Sequence, residues 1–408
     1  MRGIPLPQPW VGCAARTIAR MRRRGGSIDS RTGWAVGLLT ASKLVLNSGF
    51  RFVYPFLPAL GRGLGVDLQQ MGLVLSVRWG VGFTAPIAVR AVAPRGQSRR
   101  LLITGLAVFA FGSFVTAVSG VFVGAIIGFA FMGLGKPLFD IGAQTHVSER
   151  VPYARRGRVL GILEMSWAGG FLIGAPVAGW LIDRGGWDLP FWTVGSAALL
   201  LVGVVGWLFA GAAASTANGA TGTDRPWSQS LVFLITVAAS AAALEIVLVT
   251  MGAWLEGAFG LTLAALAGVG SLIGVAELTG EGLMVAFIDR IGKRNAFALA
   301  LSTAAAALVV LSFVSDRAGP SLFAMFVVMM TLELAVISAI PLASEFRPSN
   351  RSRFLSWWLV AGGIGRIFAD LVSPRLYETS GMPMVSRVAA VTALMGAALL
   401  MIGVRELE

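Results

Sequence analysis

The stretch Arg155–Trp192, RRGRVLGILEMSWAGGFLIGAPVAGWLIDRGGWDLPFW, decides how the rest of the chain is read. It opens on a basic cluster, runs through about 24 mostly apolar residues from Val159 to Ile182, and closes on Asp183-Arg184 beside Trp187 and Trp192. Length, apolar character and the aromatic pair at one end together predict a membrane-spanning helix with an anchored outer end. Gly170 and Gly174 stand four apart, with Gly179 further on, so one face of this helix lets a neighbouring backbone approach closely. Pro176 breaks the hydrogen-bond ladder on that face.

Composition agrees over the whole chain. Of 408 residues 56% are hydrophobic and 13% charged, with mean hydropathy +0.78, which excludes an ordinary soluble domain and predicts a polytopic membrane protein. One cysteine (Cys13) excludes an intramolecular disulfide and a cysteine metal site, and a single histidine, His146, argues against a histidine-rich one. No strand precedes any of the glycine-rich strings, so no nucleotide loop is read, and no nucleophile stands with a base to support hydrolysis or acyl transfer. Neither a cofactor nor an enzymatic activity is expected.

Working outward, apolar runs fall at about 33–59, 68–90, 101–119, 120–145, 159–182, 190–211, 228–252, 262–286, 297–314, 320–344, 354–373 and 383–403, twelve spans each long enough to cross about 30 Å of hydrocarbon. With the arginine-rich tail 1–32 placed inside, 23 Lys and Arg residues fall at the inner ends and only Arg62, Arg184, Arg317, Arg375 and Arg387 in the outer loops. This asymmetry predicts cytoplasmic termini in a plasma (inner) membrane protein, and it explains the net charge of +13 without nucleic acid. The predicted organisation is a disordered cytoplasmic tail 1–32, a six-helix bundle 33–211, a flexible linker 212–227, a second six-helix bundle 228–404 and a cytoplasmic end 405–408. The bundles repeat at a spacing of 195: Leu64-Gly-Val-Asp-Leu68 answers Phe259-Gly-Leu-Thr-Leu263, Arg158-Val-Leu160 answers Arg353-Phe-Leu355, and Asp183 answers Glu378.

On these features the chain resembles the major facilitator superfamily of secondary transporters. The run Arg156-Gly-Arg158-Val-Leu-Gly161 is similar to the loop before that family's fifth helix. The series Gly170, Gly174, Pro176, Gly179 resembles its fifth-helix motif, with Ala175 inserted before the proline. Asp289-Arg290-Ile-Gly292-Lys293-Arg294 closely resembles its signature loop. The first-half counterpart, Ala93 to Arg100, keeps the basic residues and lacks the acid, and the drug-antiporter positions of the fourth span hold Phe129 and Met132. The resemblance implies an all-α fold of twelve transmembrane helices in two pseudo-symmetric six-helix bundles, a small-molecule substrate, protons and membrane lipid as partners, and a monomer. It also implies a cytoplasmic gate in which Asp289, Arg290, Gly292 and Lys293 latch onto Arg156 and Arg158.

The spans carry five cations (Lys43, Arg51, Arg78, Lys136, Arg366) and seven acids (Asp140, Glu164, Glu245, Glu277, Glu281, Glu333, Asp370). Facing lipid they would cost about 30–40 kcal/mol together, so they must face the protein interior, a water-filled cavity or the span ends. Lys43, Asn47, Arg51 and Tyr54 recur at helical spacing on span one, and Lys136, Asp140 and Gln144 on span four. In the resembling family these spans, with seven and ten, line the substrate cavity, which adds Glu245 and Glu333. Simple i,i+4 neutralisation is the alternative for Lys136–Asp140 and for Arg366–Asp370. Arg51 either faces the second half around Glu245 or meets the anionic end of a substrate. Glu277 and Glu281, one turn apart, would resist double ionisation, the property proton coupling requires, unless both are purely structural. The function expected is a secondary active transporter of a small organic solute, an exporter or antiporter coupled to protons; a metabolite importer or facilitator, and a non-transporting receptor on the same fold, are the alternatives.

Overall fold

A computed structural model describes residues 30–93, 97–151, 153–209, 224–347 and 351–404, all of them helices and short connections. The tail to residue 29, segment 210–223 of the linker region, the first-half loop residues 94–96 and the end 405–408 lie outside the described residues.

Fifteen helical segments make twelve crossings, because three crossings are broken and two are fused. Span one is α1 (Ser30–Arg51) and α2 (Leu57–Leu64), separated by a turn. Span two is α3 (Leu68–Gly82) and α4 (Ala85–Val92). Spans three and four are α5 (Ser98–Ser119) and α6 (Phe122–Arg150). Span five is α7 (Tyr153–Glu164), α8 (Ser166–Leu172) and α9 (Gly174–Gly185), and span six is α10 (Leu189–Leu208). Spans seven to ten are α11 (Trp227–Phe259), α12 (Leu263–Ile291), α13 (Lys293–Val314) and α14 (Ala318–Phe346). The last element, α15 (Arg351–Gly403), would be about 80 Å long if straight, too long for one crossing. Gly381, at φ 69°, folds it into spans eleven and twelve.

Nine stretches among the described residues are long and apolar enough to qualify as spans on length and composition. The last of them holds two crossings; span two falls short because its helices have 15 and 8 residues, and span one because Lys43, Asn47 and its serines and glycines lower the hydropathy of its 22-residue helix. The single apolar runs read at 33–59 and 68–90 are thus corrected to broken helices. Pro55 and Pro58 in the first, and Pro86 in the second, remove donors that a continuous helix needs.

The 195-residue repeat is visible in backbone geometry. Gly65 and Gly260 both end their helices in the left-handed region, at φ 67° and 61°, where a side chain would be strained. Two residues later Asp67 and Thr262 each cap the next helix, accepting from the Gln70 and Ala265 amides at 2.7 and 3.3 Å.

Twelve crossings return the chain to the side on which it began, here called the terminal side. On the opposite, far side the two halves touch closely wherever glycines remove a Cβ. A methyl on Gly252 of span seven would lie 2.8 Å from the Tyr54 carbonyl oxygen, and one on Gly72 of span two would collide with the Asp370 carbonyl oxygen of span eleven. At Gly274 of span eight it would lie 2.6 Å from the Leu172 amide of span five. Arg62 to Glu256 at 2.7 Å and Gln69 to Glu378 at 2.6 Å cross the same seam at its rim. Toward the terminal side, α7 packs on α1 and α6 of its own half, and Glu164 at its end is 48% exposed in its side chain. The tight contacts named here join the two halves at the far side and in mid-bundle.

Candidate functional site

The centre of the bundle is built on backbone defects. Pro55 cannot donate to Arg51, so the chain tightens through Phe52–Phe56, and the Phe50 carbonyl accepts instead from Arg78 at 2.6 Å. Pro176 likewise leaves the Leu172 carbonyl without its helical donor, and Ser271 of span eight supplies one at 3.2 Å. The notch after α7 lets Ser166 donate to the Leu163 carbonyl while accepting from Asn47 at 3.0 Å.

Arg51 lies in this frame fully buried. Its guanidinium donates to both oxygens of Glu277 at 2.5 Å each and to the Trp167 carbonyl at 2.9 Å. It is sandwiched between the Trp167 and Phe171 rings, 4.2 and 3.9 Å from their centroids. Of the two openings left for Arg51, the structure has it face the second half, and its partner is Glu277 rather than the region around Glu245. Glu277 therefore has its own counter-ion, and the repulsion expected between Glu277 and Glu281 is relieved on one side.

Glu245 anchors a second network. It accepts from the Tyr54 hydroxyl, from Arg366, and from the Trp79 indole at 3.4 Å, while Arg78 donates to the Tyr54 oxygen at 2.8 Å. Spans one, two, seven and eleven are tied together by these bonds. The i,i+4 pairing read for Arg366–Asp370 is corrected here: Arg366 turns to Glu245, and both oxygens of fully buried Asp370 lack a hydrogen-bond partner among the described residues.

A third cluster opens to the terminal side. Lys43 meets Glu164 at 2.7 Å and Asp140 at 3.9 Å, and Lys136 holds Asp140 at 2.6 Å. The i,i+4 pair on span four therefore forms and is bridged to spans one and five as well. Gln144 is exposed further along the same helix. Glu333, on span ten, is buried with electrostatic neighbours on spans one, eight and eleven.

The gate residues are described only in part. The Asp289 side chain lies outside the described residues. Arg290 and Arg158 are exposed, Lys293 pairs with Glu345 of its own half, and Arg156 donates to the Val151 carbonyl at 2.9 Å. The fifth-span glycines serve two neighbours. A methyl on Gly170 or Gly174 would press on Asn47 at 2.9 Å or Ser48 at 2.7 Å of span one, and one on Gly179 would lie 2.9 Å from Ala267 of span eight.

Sequence reasoning left Arg78, Trp79, Trp167 and Ser166 out of the site. Arg78 carried the clearest signal, a cation in mid-span with no acid three or four residues away.

Residues 39–344 match the family model of the Major Facilitator Superfamily, three quarters of the chain. The chain belongs to that superfamily. This is a family of transporters and not of enzymes. The uncharacterized MFS-type transporter YwfA of Bacillus subtilis is 29% identical over 157 residues, 38% of this chain and 37% of that protein. The putative uncharacterized transporter YgaY of Escherichia coli K12 is 28% identical over 179 residues, 42% of each. The cis,cis-muconate transport protein of Acinetobacter baylyi is 39% identical over 64 residues, 16% of this chain and 15% of that one. The chain thus spans well under half the length of these relatives in alignment. A solved bacterial homolog of the human lysosomal transporter Spinster, inward-facing and occupied, superposes with TM-score 0.75 at 12% identity, over 92% of this chain and 97% of that one. A D-xylose–proton symporter gives TM-score 0.75 at 14% identity over 92% and 99%. At such identities the superpositions speak to the fold alone.

Proposed function

We propose that the protein is a secondary active transporter that moves a small organic solute by alternating access, works as a proton-coupled exporter, and has both termini in the cytoplasm of an inner membrane. The observation that carries this reading is the buried Arg51–Glu277 pair, which joins the two halves in mid-bundle beneath the glycine-lined contacts of the far side. An ion pair between two bodies that must rock against each other gives the equilibrium between their arrangements a chemical handle. A proton on Glu277 removes one of its charges, frees Arg51 and lets the seam open. Glu281, one turn along and half-buried, shares the coupling. The positive-inside asymmetry supports a cytoplasmic terminal side.

A receptor without transport would have no use for paired charges across a sliding interface, which makes that reading the weaker one. The muconate carrier matches too short a segment to lend its substrate, and its dianion would meet an excess of carboxylates here. Reconstitution into proteoliposomes with an imposed pH gradient tests the proposal. Solute movement that follows the gradient supports it, and absence of flux for any solute in a broad screen sinks it.

A further inference from the structure

Pairing engages most of the charge in the bundle. Arg51 with Glu277, Lys43 with Glu164, Lys136 with Asp140 and Arg366 with Glu245 are four neutral couples. Three carboxylates are left over: Asp370, which has Glu245, Arg78 and Arg366 around it, and the pair Glu281 and Glu333. Glu333 is 4% exposed, and among the described residues no hydrogen bond or ion pair reaches it. Its electrostatic neighbours are Glu277 and Glu281 on span eight, Arg51 on span one and Arg366 on span eleven, so it is aimed into the bundle rather than at lipid. Glu281 in turn has Glu277, Glu164, Arg51 and Lys43 around it.

Helix packing brings together the two segments that carry Glu281 and Glu333, and Glu281 is among the electrostatic neighbours of Glu333. Gly280 has no Cβ, and a methyl there would collide with the Met330 carbonyl oxygen and lie 3.3 Å from the Leu334 amide. Spans eight and ten therefore touch backbone to backbone one residue away from Glu281 on one helix and from Glu333 on the other. Both arginines in range are engaged, Arg51 on Glu277 and Arg366 on Glu245. Arg78 is turned onto the Phe50 carbonyl and the Tyr54 hydroxyl. Among the described residues the site offers two carboxylates and no free cation. A carboxylate out of water requires a proton or a positive partner, and the cations described around these two are already engaged.

We infer that Glu281 and Glu333 bind the ammonium group of an organic cation, so that the transported solute is an amine or quaternary ammonium compound. The inference rests on the transporter reading and names its substrate class. A carboxylate solute would meet like charge.

The test uses the full chain in lipid nanodiscs and three probes: benzyltrimethylammonium, whose charge does not titrate; its neutral carbon isostere neopentylbenzene; and benzoate. Calorimetry should give benzyltrimethylammonium at least about tenfold tighter binding than the isostere, the size expected for one charge-assisted contact. Glu333→Gln and Glu281→Gln should each erase that difference and leave the isostere unchanged, an outcome a purely structural role would not give. Glu333→Asp should restore part of it. If Glu333→Gln does not fold, half-exposed Glu281 carries the test alone. Equal binding of cation and isostere, tighter binding of benzoate, or unchanged cation binding in both glutamine variants overturns the inference. Flux of some other solute in proteoliposomes, with no cation preference in nanodiscs, would sink this inference alone. Cation binding with no flux of any solute would sink the transport reading instead.

Discussion

Arg51 and Glu277, 226 residues apart, meet through two parallel hydrogen bonds of 2.5 Å with 1% of each side chain exposed. Each is the other's counter-ion out of water. Arg51→Ala or Glu277→Ala alone strands a buried charge and should cost about 3–5 kcal/mol, whereas the double variant should lose less than the sum of the two. Thermal unfolding of the four proteins in detergent checks this, and strict additivity would show that the pair does not couple the halves.

Transport should respond to the same pair. Glu277→Gln keeps the shape and removes the titrating group, so accumulation driven by a pH gradient should vanish while exchange of solute across the membrane survives. Glu281→Gln should lower gradient dependence as well. If both variants accumulate solute in full, coupling moves to Asp140, Glu245 or Glu333.

Closure of the far side depends on bare glycines rather than on the rim contacts. Arg62–Glu256 is exposed, and its loss should change stability by no more than about 1 kcal/mol. Gly72→Ala instead puts a methyl against the Asp370 backbone, which cannot swing aside. That variant should shift the protein toward the far-side-open arrangement, read as faster thiol labelling of a cysteine placed beside Met71 in a background lacking Cys13. Unchanged labelling would mean the seam relaxes without parting.

On the terminal side Asp289 stands in the last turn of α12, and its partners by family resemblance are the amides and arginines at the start of span five, where a helix N-terminus favours a carboxylate. Asp289→Asn should raise the labelling of terminal-side cavity positions. Ala93→Asp, restoring the acid missing from the first half, should lower it. No change in either would remove the latch.

The crossings and the repeat were legible because hydropathy and turn chemistry are local. Gly65 with Asp67 and Gly260 with Thr262 announce the same corner twice. The burden of charge in the spans was legible too, since lipid cannot solvate it. Partners were not. Helical spacing tells which residues share a face, as for Lys43, Asn47 and Arg51, but not which helix that face meets. Arg366 and Asp370 have ideal spacing for a pair, and Arg366 nevertheless turns to Glu245, because the register between spans seven and eleven is a property of packing and leaves no trace within either helix. Tyr54 reached Glu245 through the turn at Pro55, a break that a continuous apolar run concealed.

The breaks themselves are unevenly shared. Pro55, Pro58, Pro86 and Pro176 interrupt spans one, two and five, while the residues 195 further on are Thr250, Ala253, Glu281 and Leu371, and spans seven, eight and eleven run through these positions as unbroken helix. Among the described residues the prolines of spans one, two and five end their helical segments, whereas Pro341 and Pro374 of the second half sit within continuous helix. On this arrangement the first half is the jointed leaf that bends against the second. Stroke length and direction are set by the joints at residues 52–56, 83–84 and 173, so stiffening any one of them should jam the machine without touching a single charge.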